Sequence, residues 1–305
     1  VLKKFKFKKT IHQFFPVDQI FFTKKFLNYW KPNLAIFIES EIWPCMFREL
    51  KIKKIPLVLL NARITKKTFD RWIKFKDFSQ EIFSKILVAY PQNLETKFFL
   101  QKLKTNRINH IGNLKFSETE NDRLKKINKR LKFQLNTKKV WVASSTHSDE
   151  EIFCAKAHIE LKKKIKKLIT IIIPRHIHRA GEIGSKIKKL NLKVAMHSSK
   201  NKNLKNIDIY IVDTFGETKK FHNIGSSVFL GGSIIKRGGQ NPLEAARCGA
   251  KILHGPNTNN FKDIYKLLNS FKFSQKITTY KELAASITFK KNKNIGIKIK
   301  NIGAI

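Results

Sequence analysis

Residues 231 to 250 read GGSIIKRGGQNPLEAARCGA. Two glycine pairs flank Lys236-Arg237, and Asn241-Pro242-Leu243-Glu244 follows with the grammar of a helix start. Asn241 suits the N-cap, Pro242 the first helical position, and Glu244 the third, as in a capping box. A cationic, glycine-bearing loop running into a helix N-terminus offers backbone N–H groups and positive charge to an anion. The spacing GxxxxGK[ST] is absent, so this is no ATPase P-loop. Glu244 then has two readings: a cap, or an acceptor for ribose hydroxyls beside a bound phosphate.

Other short stretches carry similar chemistry. Asp213-Thr214-Phe215-Gly216-Glu217 closes an apolar run, and its glycine permits a tight turn whose backbone a ligand can approach. Pro174-Arg175-His176 ends the run LITIIIP, which suits Arg175 to phosphate or base recognition, or to simple solvation. Ser144-Ser145-Thr146-His147 precedes Asp149-Glu150 and can cap a helix, bind phosphate, or both. Glu39-Ser40-Glu41 pairs two carboxylates where acids are scarce, and Gly112-Asn113-Leu114-Lys115-Phe116 ends another run. No Ser/His/Asp triad is arranged by the spacing, and no nucleophile is assigned.

These motifs need strands to deliver them. Apolar runs LAIFIE (34–39), PLVLLNAR (56–63), KILVAY (85–90) and NHIGN (109–113) alternate with helical periodicity, as in a parallel, doubly wound sheet. The lysine-rich stretch 121–139 reads as a helix linking two domains. A second series follows: VWVASST (140–146), a helix from Asp149 to about Lys167, LITIIIP (168–174), LKVAM (192–196), IDIYIVD (207–213), SVFLGG (227–232) and KILHG (251–255). The organisation expected is an N-terminal α/β domain over 1–120, the linker, a C-terminal α/β domain over 140–290, and an unassigned basic tail over 291–305. Every motif above falls at the carboxyl end of a strand, where open α/β sheets bind ligands.

Composition narrows the classes. With 42% hydrophobic residues in 305, two domains can each bury a core. The 63 Lys+Arg against 22 Asp+Glu leave a net charge of +41, which points to an anionic partner, or to the Lys, Ile, Asn and Phe usage of an AT-rich genome. No RRM, KH or zinc-finger signature accompanies the charge. Cys45, Cys154 and Cys248 have neither disulfide nor metal spacing and read as reduced thiols. No metal or cofactor is expected. No apolar run approaches the ~18 residues of a membrane span, and the first segment resembles no signal peptide.

The stretches IESEIWP, PLVLLNARIT, GNLKF, VWVASSTHSDEE, IIIPRH, VDTFGE and GGSIIKRGGQNPLEAARCGAKILHGPNTNNF, taken in order, resemble the 3-deoxy-D-manno-octulosonic acid (Kdo) transferases of Gram-negative bacteria. The last is the most specific. The resemblance implies a GT-B fold, two Rossmann-like domains facing across a cleft, with donor CMP-Kdo on the C-terminal one and acceptor lipid IVA near the N-terminal one. It implies CMP contacts at Pro174, Arg175, Phe215, Gly216, Glu217, Asn241, Pro242, Leu243 and Glu244, and transition-state stabilisation by Glu39 and Lys115. It also implies work at the cytoplasmic face of the inner membrane, peripheral or anchored, against an anionic surface. Two departures stand out. Gln240 replaces an expected histidine, and the family's N-terminal glutamate base, in a motif near serine-valine-glycine-glutamate, does not occur. With the start at Val1, the N-terminal domain is expected to lack its first strands, the base and the membrane anchor. The rival readings are a GT-B transferase of UDP-sugars, a basic nucleic-acid binder, and a non-catalytic membrane-surface protein.

Overall fold

The computed structural model describes residues 9–114, 127–199 and 203–301. The chain divides into two compact units, Val1–Ser117 and Glu118–Ile305, each built on a parallel sheet.

In the first unit the sheet order is β1 (Ala35–Ile38), β2 (Leu57–Ala62), β3 (Val88–Pro91), β4 (Arg107–Ile108). Helices α1 (Ile20–Trp30), α2 (Pro44–Ile52), α3 (Lys66–Ile73), α4 (Lys76–Phe83) and α5 (Leu94–Lys102) connect or flank these strands. Phe47, Leu50, Leu59, Ile82, Phe83 and Leu100 fill the core. The start of α2 is capped from a distance: Asp18 accepts from the N–H groups of Cys45 (3.1 Å) and Met46 (2.9 Å), while Pro44 supplies the fixed φ of a first helical residue. β1 is an edge of the described sheet, and Ile36 and Ile38 are half exposed along it.

The second unit has seven strands in the order β11-β10-β9-β5-β6-β8-β7. Their ranges are β5 (Lys139–Thr146), β6 (Leu168–Pro174), β7 (Val194–Met196), β8 (Ile209–Ile211), β9 (Ser227–Leu230), β10 (Lys251–His254) and β11 (Ser274–Lys276). All seven residues of β6 are buried, as expected of a strand covered on both faces. Its helices are α6 (Lys129–Asn136), α7 (Glu150–Lys162), α8 (Ala180–Lys188), α9 (Thr218–His222), α10 (Leu243–Arg247), α11 (Lys262–Ser270), α12 (Tyr280–Ser286) and α13 (Lys293–Asn301). From β5 the chain builds outward through β6 to β8 and β7, then returns to place β9 on the other side of β5. That reversal between β5 and β9 is the switch point at which such sheets open a crevice at their carboxyl edge.

Several boundaries differ from the sequence-based expectation. KILVAY begins its strand only at Val88, because Lys85 and Ile86 close α4 through backbone bonds to Ile82 and Phe83, and fully buried Ile86 plugs the helix end. The strand placed at NHIGN sits at Arg107–Ile108. The helix expected to reach Lys167 stops at Lys162, where Lys164 and Ile165 turn back onto Leu161. Of the linker helix expected over 121–139, residues 121–126 lie outside the described residues; the described part contains α6. Within the basic tail, α13 buries Ile299 and packs against α10. Its pattern is weak because glycine does the packing: Gly296 lies against the backbone of Arg247 and Gly249, where a Cβ would come within 3.0 Å.

Candidate functional site

The carboxyl edge of the second sheet gathers most of the motifs. The loop after β9 is organised first by an internal anion. Glu150, fully buried at the start of α7, accepts from the N–H groups of His147 (3.0 Å), Gly232 (2.7 Å), Ser233 (3.1 Å) and Ile234 (3.0 Å). The first glycine pair is therefore occupied by a carboxylate of the chain itself. Gly231 must be glycine, since a Cβ there would lie 2.4 Å from the Ser145 carbonyl oxygen and 2.6 Å from the Thr146 Cα.

The second glycine pair is clamped by HGPNTNNF. Asn260 donates from Nδ2 to the Arg237 carbonyl (3.0 Å), and its own N–H reaches Gly238 (2.9 Å). Asn257 donates to the carbonyls of Ser233 (3.2 Å) and Ile234 (3.0 Å), and the Tyr265 hydroxyl donates to that of Gln240 (3.1 Å). Gly238 and Gly239 have φ of 82° and 75°, in the left-handed region that favours glycine. Sequence reasoning placed no role on Glu150, Asn257, Asn260 or Tyr265. The run of asparagines after HGP was the available signal.

Around Gly232 meet His147, Arg237 and Gln240: their atoms lie 3.3–3.4 Å from the position of a Cβ there. Burial pushes the His147 ring below its ordinary pKa; nearby Glu150 opposes this, and the charges of His176, Arg237 and Arg175 add to it. Those three basic groups thus share one field with His147. Arg175 is exposed, and its N–H is fixed on the Thr146 carbonyl (2.9 Å), which registers β6 against β5. A cluster of this kind, on fixed backbone, suits a phosphate.

The stretch after β8 lies on the same edge. Asp213 is engaged by the Ser198 N–H (2.8 Å) and hydroxyl, so it anchors the turn. Gly216 takes φ of 80°, Phe215 is 62% exposed, and Glu217 pairs with Lys220. An exposed aromatic ring beside a cationic edge can stack on a base.

Asn241 caps the helix expected after it: its side chain accepts the Leu243 N–H (3.1 Å), Pro242 between them already has helical backbone, and the regular turns of α10 begin at Leu243. Glu244, half-buried, lies 3.7 Å from Lys219 and 3.6 Å from His222 of α9. Pro174, Pro242 and Leu243 are buried, which leaves their backbone rather than their side chains for a ligand.

His222 is buried, with Nε2 3.0 Å from Ser144 Oγ. Burial, with a smaller contribution from Lys291, pushes its pKa down to about 3, despite the Glu244 carboxylate nearby. The unfolded chain titrates near 6.5, so between those values it binds a proton that the folded chain does not. The stability this group confers is complete above about pH 6.5 and falls toward pH 3, by up to ~1.4 kcal/mol per pH unit. Urea midpoints measured from pH 7 to pH 4 are expected to fall, and His222→Phe to flatten part of that slope. An unchanged slope in the variant would assign the acid lability elsewhere.

In the first unit Glu39 follows β1 with φ of 62°; its N–H donates to Leu60 (3.0 Å) and its carbonyl accepts from Arg63 (3.1 Å). Left-handed backbone at a non-glycine residue costs of order 1–3 kcal/mol and gathers at functional positions. Glu41 accepts from the Trp43 indole (2.8 Å). Asn61, at the end of β2, accepts the Leu114 N–H (3.1 Å). The next residue, Lys115, lies outside the described residues. A perturbed carboxyl is no guide here: Asp208 is held well below the usual range, burial notwithstanding, by His158, Lys162 and the Lys193 N–H, but it precedes β8 at the opposite edge.

Comparison with known proteins gives the family and the fold. A family model described as 3-deoxy-D-manno-octulosonic-acid transferase (kdotransferase) matches residues 1–118. The 3-deoxy-D-manno-octulosonic acid transferase of Rickettsia bellii is 36% identical over 297 residues, which cover 95% of this chain and 69% of the relative. The chain belongs to the Kdo transferase family. The Rickettsia felis relative is 36% identical over 296 residues, 96% of this chain, and the chain spans 63% of that protein's length. Among solved structures, trehalose-6-phosphate synthase OtsA aligns with 93% of this chain and 72% of its own at a TM-score of 0.57, with 10% identity. That likeness shows the fold alone, the GT-B fold with two Rossmann-like units, as the Kdo transferase resemblance implies.

Proposed function

We propose that this chain serves the transfer of Kdo from CMP-Kdo to lipid IVA in lipopolysaccharide assembly, with inversion and without a metal. The observation that carries the reading is the cationic carboxyl edge of the second unit, where His147 and Arg237 meet at Gly232 and the charge of Arg175 acts on His147, with exposed Phe215 and half-buried Glu244 on the same edge. In this reading the CMP phosphate lies on Arg175, Arg237 and the loop at Gly238-Gly239. Phe215 and the turn at Gly216-Glu217 carry the cytosine, while Asn241 to Glu244 hold the ribose. A glucosamine 6-hydroxyl of the acceptor attacks the anomeric carbon of Kdo as the bond to the CMP phosphate oxygen breaks. Fixed cations then meet the charge that develops on CMP, which is the work a metal does elsewhere. Glu39 and Lys115 act on the sugar as transition-state stabilisers; the proton acceptor is assigned to no residue.

Calorimetry with CMP and UDP tests the donor, and mass spectrometry of lipid IVA incubated with CMP-Kdo tests the transfer. Preference for UDP would replace this reading with that of a UDP-sugar transferase. Glu244→Ala is expected to weaken CMP by about 1.5–3 kcal/mol, the worth of a hydrogen bond to a charged group, and Glu244→Gln by less, since an acceptor oxygen remains. Unchanged CMP affinity in the alanine variant would remove Glu244 from the site.

The site of action proposed is the cytoplasmic face of the inner membrane. Among the described residues no helix is long and apolar enough to cross a membrane. Phe14, Phe21, Phe22 and Tyr29 are exposed in a segment that also carries Lys24 and Lys25, a composition suited to an anionic lipid surface. The cationic stretch with Lys3, Lys4, Lys6, Lys8, Phe5 and Phe7 lies outside the described residues. Cosedimentation with anionic vesicles at low salt is expected, weakening as salt rises. Equal binding to neutral vesicles would argue against an electrostatic contribution.

A further inference from the structure

His222 has no part in the chemistry above, yet it joins two pieces of the site. Its ring is sealed between the end of β5 and the first turn of α10, with Nε2 3.0 Å from Ser144 Oγ and Nδ1 3.6 Å from Glu244 Oε2. Nδ1 is buried and makes no hydrogen bond at that distance. A buried polar nitrogen is costly to leave unpaired, so an orphan 3.6 Å from a carboxylate is poised for an interaction rather than idle. The order serine, histidine, carboxylate looks like a hydrolytic triad, but Ser144 is buried and can attack nothing. The same three groups have a different use when read from the other end.

The tautomer follows from the neighbours. In the neutral ring one nitrogen carries the proton. Were it Nε2, the Nδ1 lone pair would face the Glu244 carboxylate, lone pair against negative charge. With the Ser144 hydroxyl donating to Nε2, the proton sits on Nδ1 and points at Oε2. We propose that His222 is a positioning residue for Glu244, its Nδ1–H steering the carboxylate toward the nucleotide while Ser144 holds the ring in that tautomer. The inference rests on the reading of Glu244 as a nucleotide ligand. Closing the gap from 3.6 Å to the ~2.9 Å of a hydrogen bond is the kind of tightening that sites undergo when a ligand arrives.

The arrangement also registers Glu244 against the glycine loop. Ser144 accepts the Gly231 N–H on its carbonyl (2.9 Å), so one residue of β5 fixes both the loop and, through His222, the carboxylate. Lys219 lies 3.7 Å from the other carboxylate oxygen, and Lys291 donates to the His222 carbonyl (3.1 Å), securing the end of α9. Glu244 is thus approached from two sides by α9.

The test combines a spectroscopic signature with a double-mutant cycle. Histidine-selective ¹⁵N spectra of the wild-type chain are expected to show His222 with a protonated Nδ1 and an unprotonated Nε2, and Glu244→Ala to disturb that pattern. His222→Phe, which keeps bulk but has no donor, is expected to weaken CMP about ten-fold, the scale of one hydrogen bond to a charged group. His222→Asn, whose amide nitrogen falls near the place of Nδ1, is expected to retain affinity within about three-fold. In a Glu244→Ala background His222→Phe should change CMP affinity by less than about two-fold. An Nε2–H tautomer, or equal losses in both backgrounds, would overturn the proposal. Should the wild-type chain bind no CMP, the nucleotide reading fails, while the tautomer and its response to Glu244→Ala still decide whether His222 holds that carboxylate.

Discussion

Replacing Glu150 by alanine is expected to lower the melting temperature by ~10 °C or more, with the second unit unfolding first. The reason is arithmetic on buried donors. Four backbone N–H groups, from His147, Gly232, Ser233 and Ile234, share the two oxygens of this one carboxylate. A donor left without a partner in the interior costs about 1–3 kcal/mol, and typical stabilities are only ~5–15 kcal/mol. Even with water admitted to the cavity, the loss is several kcal/mol, and each one shifts the melting point by ~2–4 °C in chains of this size. Glu150→Gln is expected to do almost as badly. Each oxygen accepts two N–H groups, so an amide in place of either oxygen points donors at donors. Thermal unfolding of both variants, followed by circular dichroism, decides. A glutamine variant within about 2 °C of the wild type would mean that the glycine loop does not depend on this carboxylate. The functional consequence is that the loop at Gly232 to Ile234 is already held before any nucleotide arrives, and a preorganised loop binds without the cost of ordering it.

Glu39 offers the second large effect, and here stability and activity are expected to part. Glu39→Gly relieves a φ of 62° that glycine adopts readily, so the variant should be as stable as the wild type or up to ~1 kcal/mol more so. Kdo transfer, by contrast, should fall about 10²–10³-fold, the loss seen when one preorganised stabilising group is removed from a developing charge. CMP affinity should stay within about two-fold, because Glu39 belongs to the first unit and the proposed nucleotide site to the second. Calorimetry, unfolding and transfer assays on the one variant separate the three quantities. Loss of CMP binding would place Glu39 on the donor, and transfer at the wild-type rate would leave its strained backbone without a catalytic purpose.

Much of this architecture is legible residue by residue. LITIIIP is apolar throughout because β6 is covered on both faces, so no alternation was needed to recognise it. LAIFIE, PLVLLNAR and VWVASST read equally well, since burial of a parallel strand leaves a continuous trace in residue type. Boundaries were less legible where apolar residues serve something other than a strand. Ile86 closes the end of α4, yet in a linear reading it extends the apolar run of β3. The helix start at Asn241 was legible because its cap is local: the side chain accepts the Leu243 N–H two residues on, with Pro242 between them.

What the amino-acid order determined by itself was therefore the alternation of strand and helix, the placement of the motifs at strand ends, and membership of the Kdo transferase family. What only the tertiary structure decided was which groups meet. Glu150 lies 82 residues from Gly232, and its partners are backbone N–H groups, which every residue but proline possesses and which leave no mark in the sequence. His222 and Ser144 stand 78 residues apart and meet because the chain, after building β6 and β8, crosses back to lay β9 against β5. A glycine loop announces that an anion fits there. Whether that anion is a ligand or the protein's own carboxylate depends on distance in space, and in this chain the first glycine pair is satisfied from within.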